Sequence, residues 1–569
     1  MSTAASRLES RPGEGGALVI PGLVFRLFPI PHRLGGGRGY SLFPGIAAFV
    51  WMASSAVAQI GVWETRAPFP LEATEVAAAA VGDKVYVVGG LTPAGSSNRL
   101  FIYDAFTDTW REGAPLPLPG GVDHANLAAV NGKVYFVGGI RIGSDFVTGR
   151  TFEYDPAANT WTERASMPTP RGASGVAALD GRIYVAGGLT ASASVNNFEA
   201  FDPAANSWVV LPSMPTARDH LTAQAVGGKF YAIAGRRNDN FRANEEYDPA
   251  TNRWTVRAPI PTARGGLGSG TIGGRIQVFG GEGPSGTPEG TFRQNEEYDP
   301  VTNAWRSLAP MPTPRHGLYG ATVEGRRIFV PSGGPVAGGF FSTAHEAFYL
   351  PPATPPAINA GGIVNAASFE AAVAPGSIAT LFGTSLSPGS QIASRLPLPT
   401  QMNATSVLVN EVPAPLLFAG PDQINFQIPP GTQAPAKVVV RQAGVEGAPR
   451  PLLLEPAAPA LFSVSRDGRG QGAVLHSNGQ LVSAANPAVA GEALEIYCTG
   501  LGESLLLVVP DVTIGGRRAD ILFVGNAPGF VGLNQVNVRV PAGVTPGPAV
   551  PVRLNHLGRT SNEVTIAIR

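Results

Sequence analysis

YDPAANTWTERASMPTPRGASGVAALDGRIYVAGG, residues 154–188, contains one full turn of a repeat. Tyr154-Asp155 closes an apolar strand, and Pro156 to Asn159 has the composition of a tight turn. Trp161 lies in the strand that follows, and Met167-Pro168-Thr169-Pro170-Arg171 is a proline-rich link. Gly175-Val176-Ala177-Ala178-Leu179 reads as a strand of small apolar residues. Asp180-Gly181 fits a two-residue hairpin turn, where φ > 0 favours Gly, Asn and Asp. A second apolar strand then ends in Gly187-Gly188.

The same parts recur in the same order on both sides. Trp63, Trp110, Trp161, Trp208, Trp254 and Trp305 fall 47, 51, 47, 46 and 51 residues apart. Hairpin turns stand at Gly82-Asp83, Asn131-Gly132, Gly227-Gly228, Gly273-Gly274 and Glu324-Gly325. Gly-Gly ends the second strand at Gly89, Gly138, Gly280 and Gly333, while the fourth unit keeps Ala234-Gly235. Tyr-Asp recurs at Tyr103, Tyr247 and Tyr298, with Phe201-Asp202 in the third unit. Four short strands in roughly 48 residues make one propeller blade. The last unit ends at Phe348-Tyr349 with no Trp after it, and Trp63 precedes the first unit. The strand around Trp63 is therefore expected to complete the sixth blade. Residues 59–351 are expected to form a six-bladed β-propeller. In its repeated Gly-Gly, Tyr-Asp and Trp, this block resembles the kelch family.

Composition agrees with an all-β, multidomain chain of 569 residues. Gly (72) and Pro (53) make up more than a fifth of it, and charged residues only 14%. Lys plus Arg equals Asp plus Glu at 41 each, which removes a global electrostatic case for nucleic acid as partner. The single cysteine, Cys498, excludes an intramolecular disulfide and a cysteine-rich zinc site. It is read as a small buried residue. The repeats show no GxGxxG before a helix, no P-loop and no HExxH, so no cofactor or metal is expected.

Residues 1–58 read as a leader. Leu42 to Ala53 is apolar, Arg26, Arg33 and Arg38 precede it, and Ala56 and Ala58 give an A-x-A cleavage pattern before Gln59. Export to the periplasm, cell surface or medium is expected, and the apolar run is too short to span a bilayer. Residues 352–357 form a proline-rich linker. Beyond it another period begins. Gly376 to Leu386 matches Gly491 to Leu501, and Gln423 to Pro429 matches Gln535 to Pro541. Two Ig-like β-sandwiches are expected, over 358–456 and 457–569. The Gln-x-Asn pairs in these strands are read as amide hydrogen bonds between strands. Asn365 to Ser368, Ala374 to Ser377, Thr499 to Gly502, Ala527 to Gly529 and Ser561-Asn562 resemble an uncharacterised C-terminal domain family of exported, chiefly acidobacterial, proteins.

The candidate site follows from aligning the units. At the start of each innermost strand stand Ala73, Val122, Arg171, Arg218, Arg264 and Arg315; two residues on stand Glu75, His124, Ala173, His220, Gly266 and Gly317. The loops between second and third strands, which belong on the same face, vary most and add Arg141, Arg150, Arg236, Arg237, Arg242 and Arg293. Binding tends to sit in variable loops on a rigid scaffold. An arginine-rich mouth formed by Arg171, Arg218, Arg264 and Arg315, with His124, His220 and Glu75, would suit a carboxylated or sulfated ligand. The expectation is non-catalytic recognition of a surface glycan or protein there. The alternative is a small-sugar epimerase: the exported kelch sialate epimerases it resembles use a carboxylate and an arginine, here Glu75 with Arg218 or Arg264. Resemblance to galactose oxidase fails because the propeller block has no cysteine for the tyrosine cross-link. Glu245-Glu246 and Glu296-Glu297 are read as alternating faces of the third strand.

Overall fold

The computed structural model describes residues 60–141, 146–503 and 508–569, together with a short hairpin pairing Val19–Ile20 with Leu23–Val24. The leader and its cleavage site otherwise lie outside the described residues. Those residues contain no α-helix, and none is long and apolar enough to cross a membrane.

Six antiparallel four-stranded sheets follow one another along residues 62–349. In the third, Gly175–Leu179, Arg182–Ala186, Phe198–Asp202 and Ser207–Leu211 pair in sequence order. The sheet formed by Ala321–Val323, Arg327–Pro331 and His345–Tyr349 takes its fourth strand from Val62–Thr65, with Trp63 opposite Phe348. First strands lie side by side in a closed cycle, the last one (Ala321–Val323) against the first one (Ala77–Val81). Each indole of Trp110, Trp161 and Trp208 donates to a carbonyl of the preceding unit, at Ala67, Ala114 and Ala165. The Trp therefore ties neighbouring sheets together and packs on the Tyr or Phe of its own sheet, with ring centroids 5.0–5.3 Å apart.

The C-terminal half holds two further pairs of sheets. One core joins Ala379, Leu381, Ile424 and Phe426 of one five-stranded sheet to Val407, Val409, Val438 and Val440 of another. The second core repeats this with Leu494, Ile496, Val536 and Val538 facing Val512, Val552, Leu554 and Val564, and it takes in Cys498. Burial pushes the Cys498 thiol up to about 12, so it stays protonated. The repeated sequence motifs are the same neighbouring strands in each: Ile378–Thr384 with Gln423–Gln427, and Ala493–Thr499 with Asn534–Arg539. The Gln-x-Asn amides bond along one strand rather than between strands: Gln423 Nε2 donates to Asn425 Oδ1 and Gln535 Nε2 to Asn537 Oδ1, both at 2.9 Å. Residues two apart share a face of the strand, which brings the two amides together.

The shared motif residues gather where the two halves of this region meet. Asn365 Nδ2 donates to the Ala458 carbonyl, and the Ile378 amide donates to Thr499 Oγ1. A Cβ on Gly500 would come within 1.9 Å of the Ala458 oxygen at φ +84°, so that contact requires glycine.

The first of these C-terminal units rests on the seam between the last and first four-stranded sheets. Arg66 donates to Gln391 Oε1 at 3.0 Å, Glu64 accepts from the Ala404 amide at 3.0 Å, and the Ile392 amide donates to the Phe106 carbonyl at 2.8 Å. Arg327, beside the Glu324-Gly325 turn, reaches Asn403. These contacts lie on the seam and on the side of the short turns. The long variable loops belong to the other face.

Candidate functional site

The centre of the ring is built from one residue per unit. Glu75, His124, Ala173, His220, Gly266 and Gly317 all take left-handed backbone angles, φ 45–64°. In this conformation they form a closed cycle of backbone hydrogen bonds. His124 donates to Glu75, Ala173 to His124, His220 to Ala173, Gly266 to His220, Gly317 to Gly266 and Glu75 to Gly317, at 2.8–3.1 Å. Four of the six are not glycine, and each pays a steric penalty for φ > 0 that the surrounding ring must hold.

Three of these residues carry side chains that converge. Ligand atoms of Glu75, His124 and His220 lie within 4.8 Å of one another. His124 Nε2 is 3.5 Å from Glu75 Oε2 and its Nδ1 is 2.6 Å from Asp123 Oδ1. His220 repeats the second contact, with Nδ1 2.5 Å from Asp219 Oδ1. Ser96 and Ser194 hydroxyls donate to the other oxygens of Asp123 and Asp219. The two imidazoles meet edge to face, with centroids 4.9 Å apart. His316 approaches from the last unit, Nδ1 3.3 Å from Glu75 Oε1 and 3.6 Å from Glu282 Oε2. Arg236 pairs with Glu282. A cavity of about 20 Å³ lies between Glu75, His124, His220, Leu221, Leu267 and Tyr319, room for one water-sized particle.

Electrostatics divide these groups. Burial opposes charge on Glu75, yet His124, His316 and His220 outweigh it and hold the carboxyl well below the usual range. Burial likewise opposes a proton on His316, but Glu75 and Glu282 push it up to about 9. His124 is raised because Glu75 and Asp123 overcome its burial. His220 is lowered by burial, with His124 and Arg236 adding to the effect. The mouth thus combines an ionised carboxylate with imidazoles of opposed tendencies, a set able to hold a cation or a proton.

The arginine expectation is corrected. Arg171, Arg218, Arg264 and Arg315 are fully buried and do not face the mouth. Each pairs with a glutamate on the third strand of its own unit: Glu199 at 2.6 Å, Glu245 at 2.6 Å, Glu296 at 2.5 Å and Glu346 at 2.8 Å. The Thr two residues before each arginine donates to the same carboxylate. Backbone carbonyls such as those of Ala234 and Ala232 take the remaining donors of Arg218. A guanidinium so placed is a clamp between the link and the third strand, with no free fork for a ligand. Arg218 and Arg264, the candidates to act beside Glu75 in the epimerase alternative, are thus held by Glu245 and Glu296 instead. Five of the six loop arginines are engaged as well: Arg141 with the Pro119 carbonyl, Arg150 with Glu163, Arg236 with Glu282, Arg242 with the Ile260 carbonyl, and Arg293 with carbonyls of Met311 and Pro312. Adjacent glutamates do face opposite ways, Glu245 to Arg218 and Glu246 to Arg257 and Tyr231.

Sequence reasoning missed the glutamate partners, His316 and the two aspartates. Each had a signal. Where Arg gives way to Ala73 and Val122, the third-strand position holds Phe101 and Phe152 instead of Glu. Asp-His also occurs twice at one repeat position, Asp123-His124 and Asp219-His220.

Comparison with known proteins agrees with this architecture. Two family profiles described as "Kelch motif" match, one over residues 73–117, 170–215, 217–261 and 263–312, the other over 121–168. Kelch-like protein terF of Aspergillus terreus is 33% identical over 317 residues, covering 51% of this chain and 68% of that protein. Kelch repeat and BTB domain-containing protein 13 of Homo sapiens is 36% identical over 106 residues, 19% of this chain and 23% of that one. Kelch-like protein 35 of Mus musculus is 28% identical over 127 residues, 22% and 21% respectively. The chain thus spans about two thirds of the fungal relative and under a quarter of these two animal ones. Among solved structures, one titled "Structure of YjhT" aligns with a TM-score of 0.43 and 19% identity, covering 49% of this chain and 95% of that one. The closed run of four-stranded sheets, the repeated motif and the fungal relative together make this chain a member of the kelch-repeat family.

Proposed function

We propose that this chain is an exported recognition scaffold that binds a protein partner through the variable-loop face of its kelch domain. Residues 1–58 serve as a cleaved leader, 59–351 as a six-bladed propeller, 352–357 as a linker, and 358–456 and 457–569 as two Ig-like domains. Six four-stranded sheets and a six-membered cycle of backbone bonds support the blade count. Paired sheets around two separate cores support the sandwiches. The A-x-A pattern at Ala56 and Ala58 supports cleavage before Gln59. N-terminal sequencing of the mature protein should therefore begin at Gln59, whereas an intact leader on exported protein would contradict the assignment.

The observation that carries the binding face is a pair of phenylalanines. Phe146, which opens the third strand of the second sheet, and Phe340, on the loop of the sixth, stand on either side of the first sheet and are 40% and 62% exposed. Both have left-handed backbones, φ 62° and 63°, a conformation a bulky residue adopts only at a cost. Aromatic rings held in water on strained backbone do not serve the core. They have the character of anchors that a partner buries. Among the described residues, the C-terminal unit meets the propeller on its seam and short-turn side and leaves this face open.

Asn tolerates φ > 0 better than Phe. Phe146→Asn with Phe340→Asn should leave the unfolding midpoint unchanged or raise it, with a change within about 1 kcal/mol. The same pair should abolish retention of a surface protein from the cells that make this chain. Retention that survives both substitutions would remove the face from consideration.

A further inference from the structure

We propose that Glu75, His124 and His220 form a binding site for one divalent transition-metal ion of the zinc class at the centre of the propeller mouth, independently of any partner. The donor set is two imidazoles and a carboxylate, a combination that suits zinc with a fourth position open. His124 Nε2 and Glu75 Oε2 are 3.5 Å apart, close to the ~3.3 Å edge of a tetrahedron with bonds of about 2.0–2.1 Å.

Each ligand also has a supporting partner on the side away from the centre. Asp123 and Asp219 accept from Nδ1 of His124 and His220, which leaves Nε2 of each ring as the donor to a metal. The serines behind the aspartates fix the carboxylates in turn. Glu75 divides its oxygens: Oε2 faces His124 and Oε1 faces His316 Nδ1. His316 is buried with Nδ1 3.3 Å from Glu75 Oε1, outside hydrogen-bond geometry, so it orients the carboxylate as an ion-pair partner and leaves Oε2 to face the centre. The cavity among the donors holds one water-sized particle, the space an open fourth position needs. Backbone positions are fixed by the cycle of hydrogen bonds that passes through all three ligands. A ligand set held on such a frame needs little reorganisation to close on an ion.

The test uses the full chain, stripped with chelator and titrated with Zn²⁺ or Co²⁺ alone. One equivalent should remain after gel filtration, measured by elemental analysis, and Co²⁺ should give the intense visible bands of a four-coordinate site. His124→Gln and His220→Gln should each lose that equivalent and the bands, while His476→Gln, in the second sandwich, should keep both. Asp219→Asn should bind 10–100-fold more weakly with its fold unchanged by circular dichroism, which separates loss of a ligand from loss of structure. Stripped wild type that retains no stoichiometric metal, or His124 and His220 variants that bind as wild type does, would overturn the site.

Discussion

Arg218→Ala should lower the free energy of unfolding by about 3–5 kcal/mol, because it leaves Glu245 buried without its cation. The guanidinium is fully buried, pairs with Glu245 at 2.6 Å and donates to the carbonyls of Ala234, Ala232 and Thr216. After truncation the carboxylate keeps the Thr216 hydroxyl and loses its charge partner. The chain itself supplies the control. In the first unit the corresponding positions are Ala73 and Phe101, both in an apolar core with Phe69. Arg218→Ala combined with Glu245→Phe should therefore cost less than Arg218→Ala alone, since no unpaired charge remains. Denaturant unfolding of the two single variants and the double variant measures this. Additive losses would mean that the pair is not coupled and that the clamp reading is wrong. The same result separates architecture from ligand binding, because a ligand-facing arginine would be replaced at little cost to stability.

The second large effect is acid sensitivity at the ring's seam. His345 is buried in the last sheet against Tyr103 and Trp110 of the first, at centroid distances of 4.5 and 5.1 Å. Its Nδ1 donates to the Ala67 carbonyl at 2.9 Å, and its Nε2 has no hydrogen-bond partner. Burial, with Arg66 and Arg315 adding to it, pushes its pKa down to about 3 from an ordinary 6.5. The folded state therefore excludes a proton that the unfolded chain accepts. Above pH 6.5 this group has no effect on stability. As pH falls from 6.5 towards 3, the unfolded state gains the proton and the fold loses about 1.4 kcal/mol per pH unit from His345. The His345→Phe variant removes that slope, whatever its stability at neutral pH. Between pH 6.5 and 4 the difference in unfolding free energy between the two proteins should shift in favour of the variant by about 1.4 kcal/mol per pH unit. Parallel curves would show that His345 is protonated in the folded state.

The periodic parts of this molecule were legible because each repeats a physical need. Gly-Gly, Tyr-Asp and Trp recur wherever a sheet must meet its neighbour, so six copies gave strand order and even the return of the Trp63 strand to the last sheet. Glu75, His124 and His220 were legible as one position of the aligned units, although 49 and 96 residues separate them in sequence. No short motif joins them; the ring does. The arginines were misread because their direction depends on a partner 27–32 residues away on another strand. Position at a mouth does not determine which way a long side chain points. The amides of Gln423 and Asn425 were misread for a related reason: their strand was identified, but the choice between a neighbour along it and one across it needs coordinates.

The central claim is that recognition belongs to the open loop face. A photo-crosslinking phenylalanine analogue placed at Phe340 tests it directly in the cells that make the protein, beside the same analogue at Val301. Val301 is 92% exposed on a short turn of the fifth sheet and therefore reports the other face. The account predicts a discrete protein adduct from position 340 and none from position 301. An adduct from 301, or no protein adduct from 340, would contradict it.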